Sequence, residues 1–199
     1  RLAREYKAAG YDYLKIYDGL SREVYDAFVD EARALGIPLD GHVPEAVGLA
    51  RVIEAGQALQ HMDKSAFALT GHRSDTSTYA EARRLFSGKR AWVTPTVASL
   101  KAMDMMRTVE YAAWFARPEM AYIDDGTRGW WSSLSGSQPA RPRSAFFRYQ
   151  MGLLRVMRES GTRFTLGTDA ANPLMVAGFS VHDELAALVA DGGFTPYQA

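Results

Sequence analysis

The chain has 199 residues, 47% of them hydrophobic and 23% charged, the proportions of one ordinary globular domain. Lys plus Arg and Asp plus Glu each total 23, a net charge of zero that argues against nucleic acid or an acidic membrane held by bulk electrostatics. The absence of cysteine excludes disulfide scaffolds and thiolate metal sites, and no apolar run approaches the ~18 residues a membrane helix needs.

The first residue is Arg1 rather than Met, so a preceding stretch is expected and localisation stays unread. Tyr13 to Tyr17 is a short β-prone run bounded by Gly10 and Gly19. Ser21 reads as a helix N-cap, with Val24, Phe28, Ala32 and Leu35 on one face and Gly36 closing the helix. Ile37 to Val43 is a second strand. Pro44 then suits a first helical turn, with Val47, Ala50 and Ile53 on one side and Gly56 at the end. Ala58 to Met62 is a third strand, Thr76 to Ser87 a helix, and Trp92 to Val97 a fourth strand. A long irregular stretch runs from about Ala98 to Ala145. Phe147, Met151, Leu154 and Met157 mark an amphipathic helix closed by Gly161. Arg163 to Thr168 is a fifth strand, and His182 to Ala190 a last helix.

Strands that alternate with helices mean βα units and a parallel α/β sheet. A (β/α)8 barrel of the TIM type and an open doubly wound sheet compete. No glycine-rich phosphate turn follows any strand, which weakens the nucleotide-binding open sheet.

In a parallel barrel the chemistry gathers at the C-terminal ends of the strands. Lys15 stands near the end of the first run, His42 ends the second, His61 the third and Asp169 the fifth. Neutral imidazoles and a carboxylate suit zinc or a similar divalent ion. A lysine ammonium has no lone pair, but its carbamate presents two oxygens and can bridge two metals. Two such ions share a water and lower its pKa, and Asp169 could both ligate and accept the proton. Each residue taken singly has a plainer role. A strand lysine usually reaches solvent, a strand-end histidine usually makes loop hydrogen bonds, and Gly-Thr-Asp is a common helix opening. The joint placement on one face is what points to a metal site.

With these residues in place, the chain resembles the metal-dependent amidohydrolase superfamily, in its imidazolonepropionase-like and Xaa-Pro dipeptidase-like branch. The resemblance rests on Tyr13-Leu14-Lys15-Ile16-Tyr17, Gly41-His42-Val43-Pro44, Ala55-Gly56 with Gln60-His61-Met62, and Leu166-Gly167-Thr168-Asp169-Ala170. His182-Asp183-Glu184-Leu185 with Gly193-Phe194-Thr195-Pro196 also looks like that branch. It implies that Lys15 is the strand 4 lysine, carboxylated and metal-bridging, that His42 and His61 are the strand 5 and 6 ligands, and that Asp169 is the strand 8 ligand and general base. One or two zinc ions would be the cofactor. The implied reaction is hydrolysis of amide C–N bonds by metal-activated hydroxide, peptidase-like, on a small substrate such as a dipeptide or N-acyl amino acid.

The family's His-x-His pair is missing, since His42, His61, His72 and His182 are the histidines and no two are one residue apart. Residues 1–199 are therefore expected to be the C-terminal part of a barrel, strands 4 to 8 of about 250 residues or more, whose missing N-terminal part would be a partner in folding. Such a segment alone would expose a sheet edge and fold poorly, an expectation that cooperative unfolding of the segment would refute. The alternative is a degenerate, non-catalytic barrel that binds a small ligand in the same cleft.

Tyr17 and Asp18 could line the pocket, with a plain strand-end role the preferred reading, and His182 is weighed equally between substrate contact and a structural capping role. His72 reads as a surface loop residue. The 98–145 insert, between strands 7 and 8, holds Trp114, Trp130 and Trp131 and four of the eight methionines. A substrate lid is the sharper reading, and a small helical subdomain with its own aromatic core the preferred one. Ser132 to Pro142 reads as a mobile loop.

Overall fold

The computed structural model describes residues 1–71 and 73–199, so His72 lies outside the described residues. The chain divides into two compact units, one of residues 1–95 with 153–165 and one of 96–152 with 166–199.

The first unit opens with a helix the sequence reading did not anticipate, α1 (Leu2–Ala8), followed by β1 (Leu14–Ile16). In α2 (Arg22–Leu35) the Ser21 side chain accepts from the Val24 amide, and Gly36 closes the helix at φ 61, as its sequence implies. β2 (Leu39–Gly41) comes next. Pro44 does not open the following helix. Its carbonyl accepts from the amides of Val47 and Gly48 in a turn, and α3 (Leu49–Ala55) starts only beyond Gly48. β3 (Ala58–Gln60), the unanticipated α4 (Met62–Thr70), a 3-10 turn at Thr76–Thr78, α5 (Tyr79–Phe86) and β4 (Trp92–Thr94) complete this run.

Five parallel strands pair in strict chain order, from β1 to β5 (Arg163–Phe164). This order has no reversal point of the doubly wound kind. Right-handed crossovers repeated in one direction are the arrangement of a barrel-like α/β fold. Each strand is shorter than its sequence pattern, because the ladder ends where the chain turns into the next loop.

The register sorts the two faces of the sheet. Ile16, Gly41, Leu59, Val93 and Phe164 stand side by side, with Leu14 beside Leu39. Leu14, Ile16, Leu39, Leu59 and Val93 are buried with Tyr25, Val29, Val52, Met62 and Phe86 from the helices. The alternate positions Lys15, Asp40, Gln60 and Thr94 carry polar side chains on the other face and are half-buried or exposed. Gln60 Nε2 donates to Asp40 Oδ2 at 2.7 Å, and the Thr94 and Thr165 hydroxyls bond at 2.6 Å. A parallel sheet with one polar face departs from the usual pattern of two apolar faces.

The second unit is helical: α6 (Val97–Asp104), α7 (Val109–Phe115), a 3-10 stretch at Pro118–Tyr122, α8 (Asp125–Ser133) and α10 (Phe179–Ala190). α9 (Ala145–Glu159) runs from this unit into the first. Asp124 caps α8 through the Thr127 amide at 3.0 Å. Trp131, Tyr111, Met105 and Met120 are buried here, and the Tyr111 hydroxyl donates to the Trp131 carbonyl at 3.0 Å. Trp130 is half exposed. Within Ser132 to Pro142, Ser132 and Ser133 belong to α8. The Gln138 backbone exchanges hydrogen bonds with Arg107 and Val109, so this stretch is tied at its middle.

Candidate functional site

Parallel strands end on one edge, so residues just beyond β2 and β3 become neighbours. The imidazoles of His42 and His61 lie with ring centroids 5.0 Å apart and planes at 80°.

His42 is fixed first through its backbone. Its amide donates to the Ile16 carbonyl at 2.9 Å, and its carbonyl accepts from Gln57 Nε2 at 2.8 Å. Gln57 in turn accepts from the Tyr25 hydroxyl at 3.0 Å, all within the buried interior. Gly41 makes this approach possible: at φ 127, a Cβ there would meet the Ile16 carbonyl oxygen at 2.1 Å. The His42 ring is buried, with the Tyr17 ring 4.3 Å away across its face. Burial pushes the His42 pKa below the ordinary histidine value, and the nearby Lys64 and Lys15 charges add to this against the opposing pull of Asp18. The neutral imidazole is thereby favoured, which is the form that ligates metal.

His42 Nδ1 lies 3.2 Å from Asp18 Oδ1 but out of hydrogen-bond alignment, so this buried nitrogen has no hydrogen-bond partner. Lys64 Nζ donates to the other oxygen of Asp18 at 3.1 Å. Burial alone would raise the Asp18 pKa, but Lys64, by hydrogen bond and charge, together with His42 outweighs it, and the carboxyl is held below its ordinary range.

His61 adopts φ 63 and ψ 116, a conformation non-glycine residues avoid. Hydrogen bonds on either side hold it, from the His61 amide to the Thr94 carbonyl at 2.9 Å and from the Met62 amide to the Pro95 carbonyl at 3.1 Å. Backbone strain of this kind is typical of functional sites.

The other sequence-derived residues divide. Lys15 is in the middle of β1 rather than near the end of a longer strand, and is exposed beside Asp40 in the register. Tyr17 is exposed and reaches the site through its contact with His42. Asp169 does not end β5. The ladder stops at Phe164 because the chain leaves the sheet there, and Asp169 stands five residues on, in the second unit, at φ 55. Its carboxylate accepts from Asn172 Nδ2, which also donates to the Ser99 hydroxyl at 3.1 Å. His182 is exposed in the first turn of α10 and belongs to that same second unit.

Sequence reasoning gave no role to Gln57, Lys64 or Glu184. Gln57 carries a signal, as a polar residue directly after the closing Gly56 and before the apolar Ala58-Leu59. Glu184 is fully buried, and its two oxygens accept from the Val97 and Ala98 amides at 2.9 and 2.7 Å, the first turn of α6.

As donors for a divalent cation, His42 and His61 fit: two close imidazoles, one with a buried nitrogen lacking a hydrogen bond. Among the described residues no group of three or more His, Asp or Glu side chains could hold a metal ion.

No family model and no curated protein matches this sequence. A solved structure, "AH, Bottromycin amidohydrolase", is similar to it, at 26% identity and a TM-score of 0.65 over 94% of this chain and 44% of that chain. The chain thus spans less than half the length of the solved amidohydrolase it matches, and the likeness supports an amidohydrolase-type α/β fold.

Proposed function

We propose that this chain carries the histidine-bearing part of a metal-dependent hydrolase that cleaves amide C–N bonds in small substrates, dipeptides or N-acyl amino acids among them. The observation that carries the reading is the His42–His61 pair beyond neighbouring parallel strands, one histidine buried with its pKa pushed down by burial, the other on a strained backbone. The similar structure is itself named an amidohydrolase.

In this reading His42 and His61 hold a divalent cation, zinc above all, through neutral imidazole nitrogens. The bound ion supplies Lewis-acid activation of water and of the substrate carbonyl. Lys15, as its carbamate, adds oxygen donors and allows a second ion. Asp169 is the base that takes the water's proton and returns it to the departing amine. Tyr17 and His182 are the substrate contacts. A cleft of 910 Å³ is lined by Leu20, Val43, Ala46 and Phe67, with Asp18, Glu45 and Lys64 as its charged residues, a size that suits a small organic molecule.

Metal analysis of the full-length protein tests the reading, with amide hydrolysis followed before and after chelation. Bound zinc, and activity lost on chelation and restored by zinc, are the expected results. Lys15→Ala should lose activity and recover part of it with added short carboxylic acids. A protein free of divalent metal, with chelation-insensitive activity, overturns the reading, and metal with no hydrolysis would leave a ligand-binding barrel in its place.

A further inference from the structure

Asn172, in the second unit, donates from its side-chain nitrogen twice. Nδ2 bonds to Asp169 Oδ2 and to the Ser99 hydroxyl, the latter at 3.1 Å. We propose that Asn172, anchored by the buried Ser99, is the positioning residue for the Asp169 carboxylate. It sets the orientation in which that carboxylate takes a proton from water. For its purpose the proposal rests on the reading of Asp169 as the base, and for its geometry on the hydrogen bonds alone.

The Asn172 backbone is closed on both sides. Its amide donates to the Asp169 carbonyl and its carbonyl accepts from the Met175 amide, each at 2.8 Å, and the following Leu174 and Met175 are buried. The side chain thus leaves from a fixed point. Asn172 holds Asp169 at two places, the main-chain carbonyl and the carboxylate, across a backbone at φ 55 that residues with a Cβ seldom adopt. The amide also has one favoured sense. Turned over, its oxygen would face a carboxylate oxygen, and two acceptors repel. With Nδ2 toward Asp169, one hydrogen serves the carboxylate and the other the hydroxyl. The anchor is fixed in its turn. Ser99 is buried in the first turn of α6, directly after Val97 and Ala98, whose amides donate to Glu184 at 2.9 and 2.7 Å. A line of hydrogen bonds therefore runs from α10 through the start of α6 to the carboxylate. A hydrogen bond to an ionised acceptor is about twice as strong as a neutral one, and a misplacement of about 1 Å in a reacting group can cost on the order of 100-fold in rate.

The test follows amide hydrolysis by the full-length protein at saturating zinc, resolved into kcat and KM. Asn172→Ala should lower kcat about 10- to 100-fold and leave KM within about twofold. Asn172→Asp keeps the shape but loses the donor, and should be no more active than Asn172→Ala. Asn172→Gln keeps the donor and should recover part of the loss. Ser99→Ala removes the anchor but not the amide, and should lose less than Asn172→Ala. A second readout needs no activity. In protein labelled with nitrogen-15 at asparagine, the Asn172 side-chain protons, identified by their absence in Asn172→Ala, should exchange slowly with water and speed up in Asp169→Ala. A kcat within about twofold of wild type in folded Asn172→Ala overturns the proposal, and so does a raised KM with kcat intact, which would make Asn172 a substrate contact. Wild-type side-chain protons that exchange as fast as those of free asparagine overturn it as well. If the wild-type protein hydrolyses no amide, the hydrolase reading fails, and the exchange measurement still decides whether Asn172 holds the carboxylate.

Discussion

Two buried ionisable residues, one in each unit, are held in opposite ways. Glu184 has a backbone amide of the start of α6 donating to each of its oxygens. His42 has its backbone occupied and its Nδ1 without an aligned partner, beside a second histidine. A buried polar group whose partners are complete stabilises a fold, and one whose partners are incomplete costs stability unless something else completes it. The incomplete group lies in the first unit, while in the second Glu184 ties α10 to α6.

The contrast breaks most sharply at Gly41, since His42 is placed only because β2 lies against the Ile16 carbonyl. Gly41→Ala puts a methyl into backbone at 2.1 Å with φ still at 127. β1 and β2 must separate, and the loss should be on the order of 4 kcal/mol, measured by urea unfolding of the full-length protein. A loss under about 1 kcal/mol would mean that strand register does not set the histidine.

Glu184 makes the opposite half of the contrast testable through pH. Burial pushes its pKa from 4.5 up to about 7, against the two amide hydrogen bonds. The folded state thus holds the proton more tightly than the unfolded chain. Its stability contribution is complete below pH 4.5 and is lost as pH rises through 7, by about 3 kcal/mol. Glu184→Gln removes this dependence but offers one acceptor to two amides, at a cost of about 2 kcal/mol. The variant should be the less stable protein at pH 5 and the more stable one at pH 8, by about 1 kcal/mol in each case. A stability difference that does not change with pH would show that Glu184 stays ionised when folded.

How much of this was legible depends on the range of the interaction. The five strand positions, the Ser21 cap and the Gly36 stop follow from local pattern, and the structure has them. The strand ends, the delayed start of α3 and the displacement of Asp169 from β5 depend on where the chain leaves the ladder, which local propensity does not encode. His42 and His61 stand out because imidazoles at corresponding strand ends are rare. Gln57 and Lys64 do not, because a buried amide and a salt-bridged lysine acquire meaning only from partners far along the chain, Tyr25 at one and Asp18 at the other. Glu184 is legible as part of a resemblance and not as a cap, since the amides it serves belong to α6, 86 residues away at the nearer one.

The finest test concerns whether the buried chain from Tyr25 through Gln57 positions His42 or only packs the core. Gln57→Leu keeps the volume and strands two groups, the Tyr25 hydroxyl and the His42 carbonyl, at a cost of about 2 kcal/mol. Tyr25→Phe removes the outer link and should cost about 1 kcal/mol. The double variant should be more stable than the sum of the two losses implies, since the hydroxyl stranded by leucine is gone. Zinc affinity separates the roles: it should weaken in Gln57→Leu, where the His42 carbonyl is released, and hold in Tyr25→Phe, where it is not. Equal zinc affinity in both variants would make the chain a packing element alone, and would leave the ring contacts of Asp18 and Tyr17 as the determinants of where His42 points.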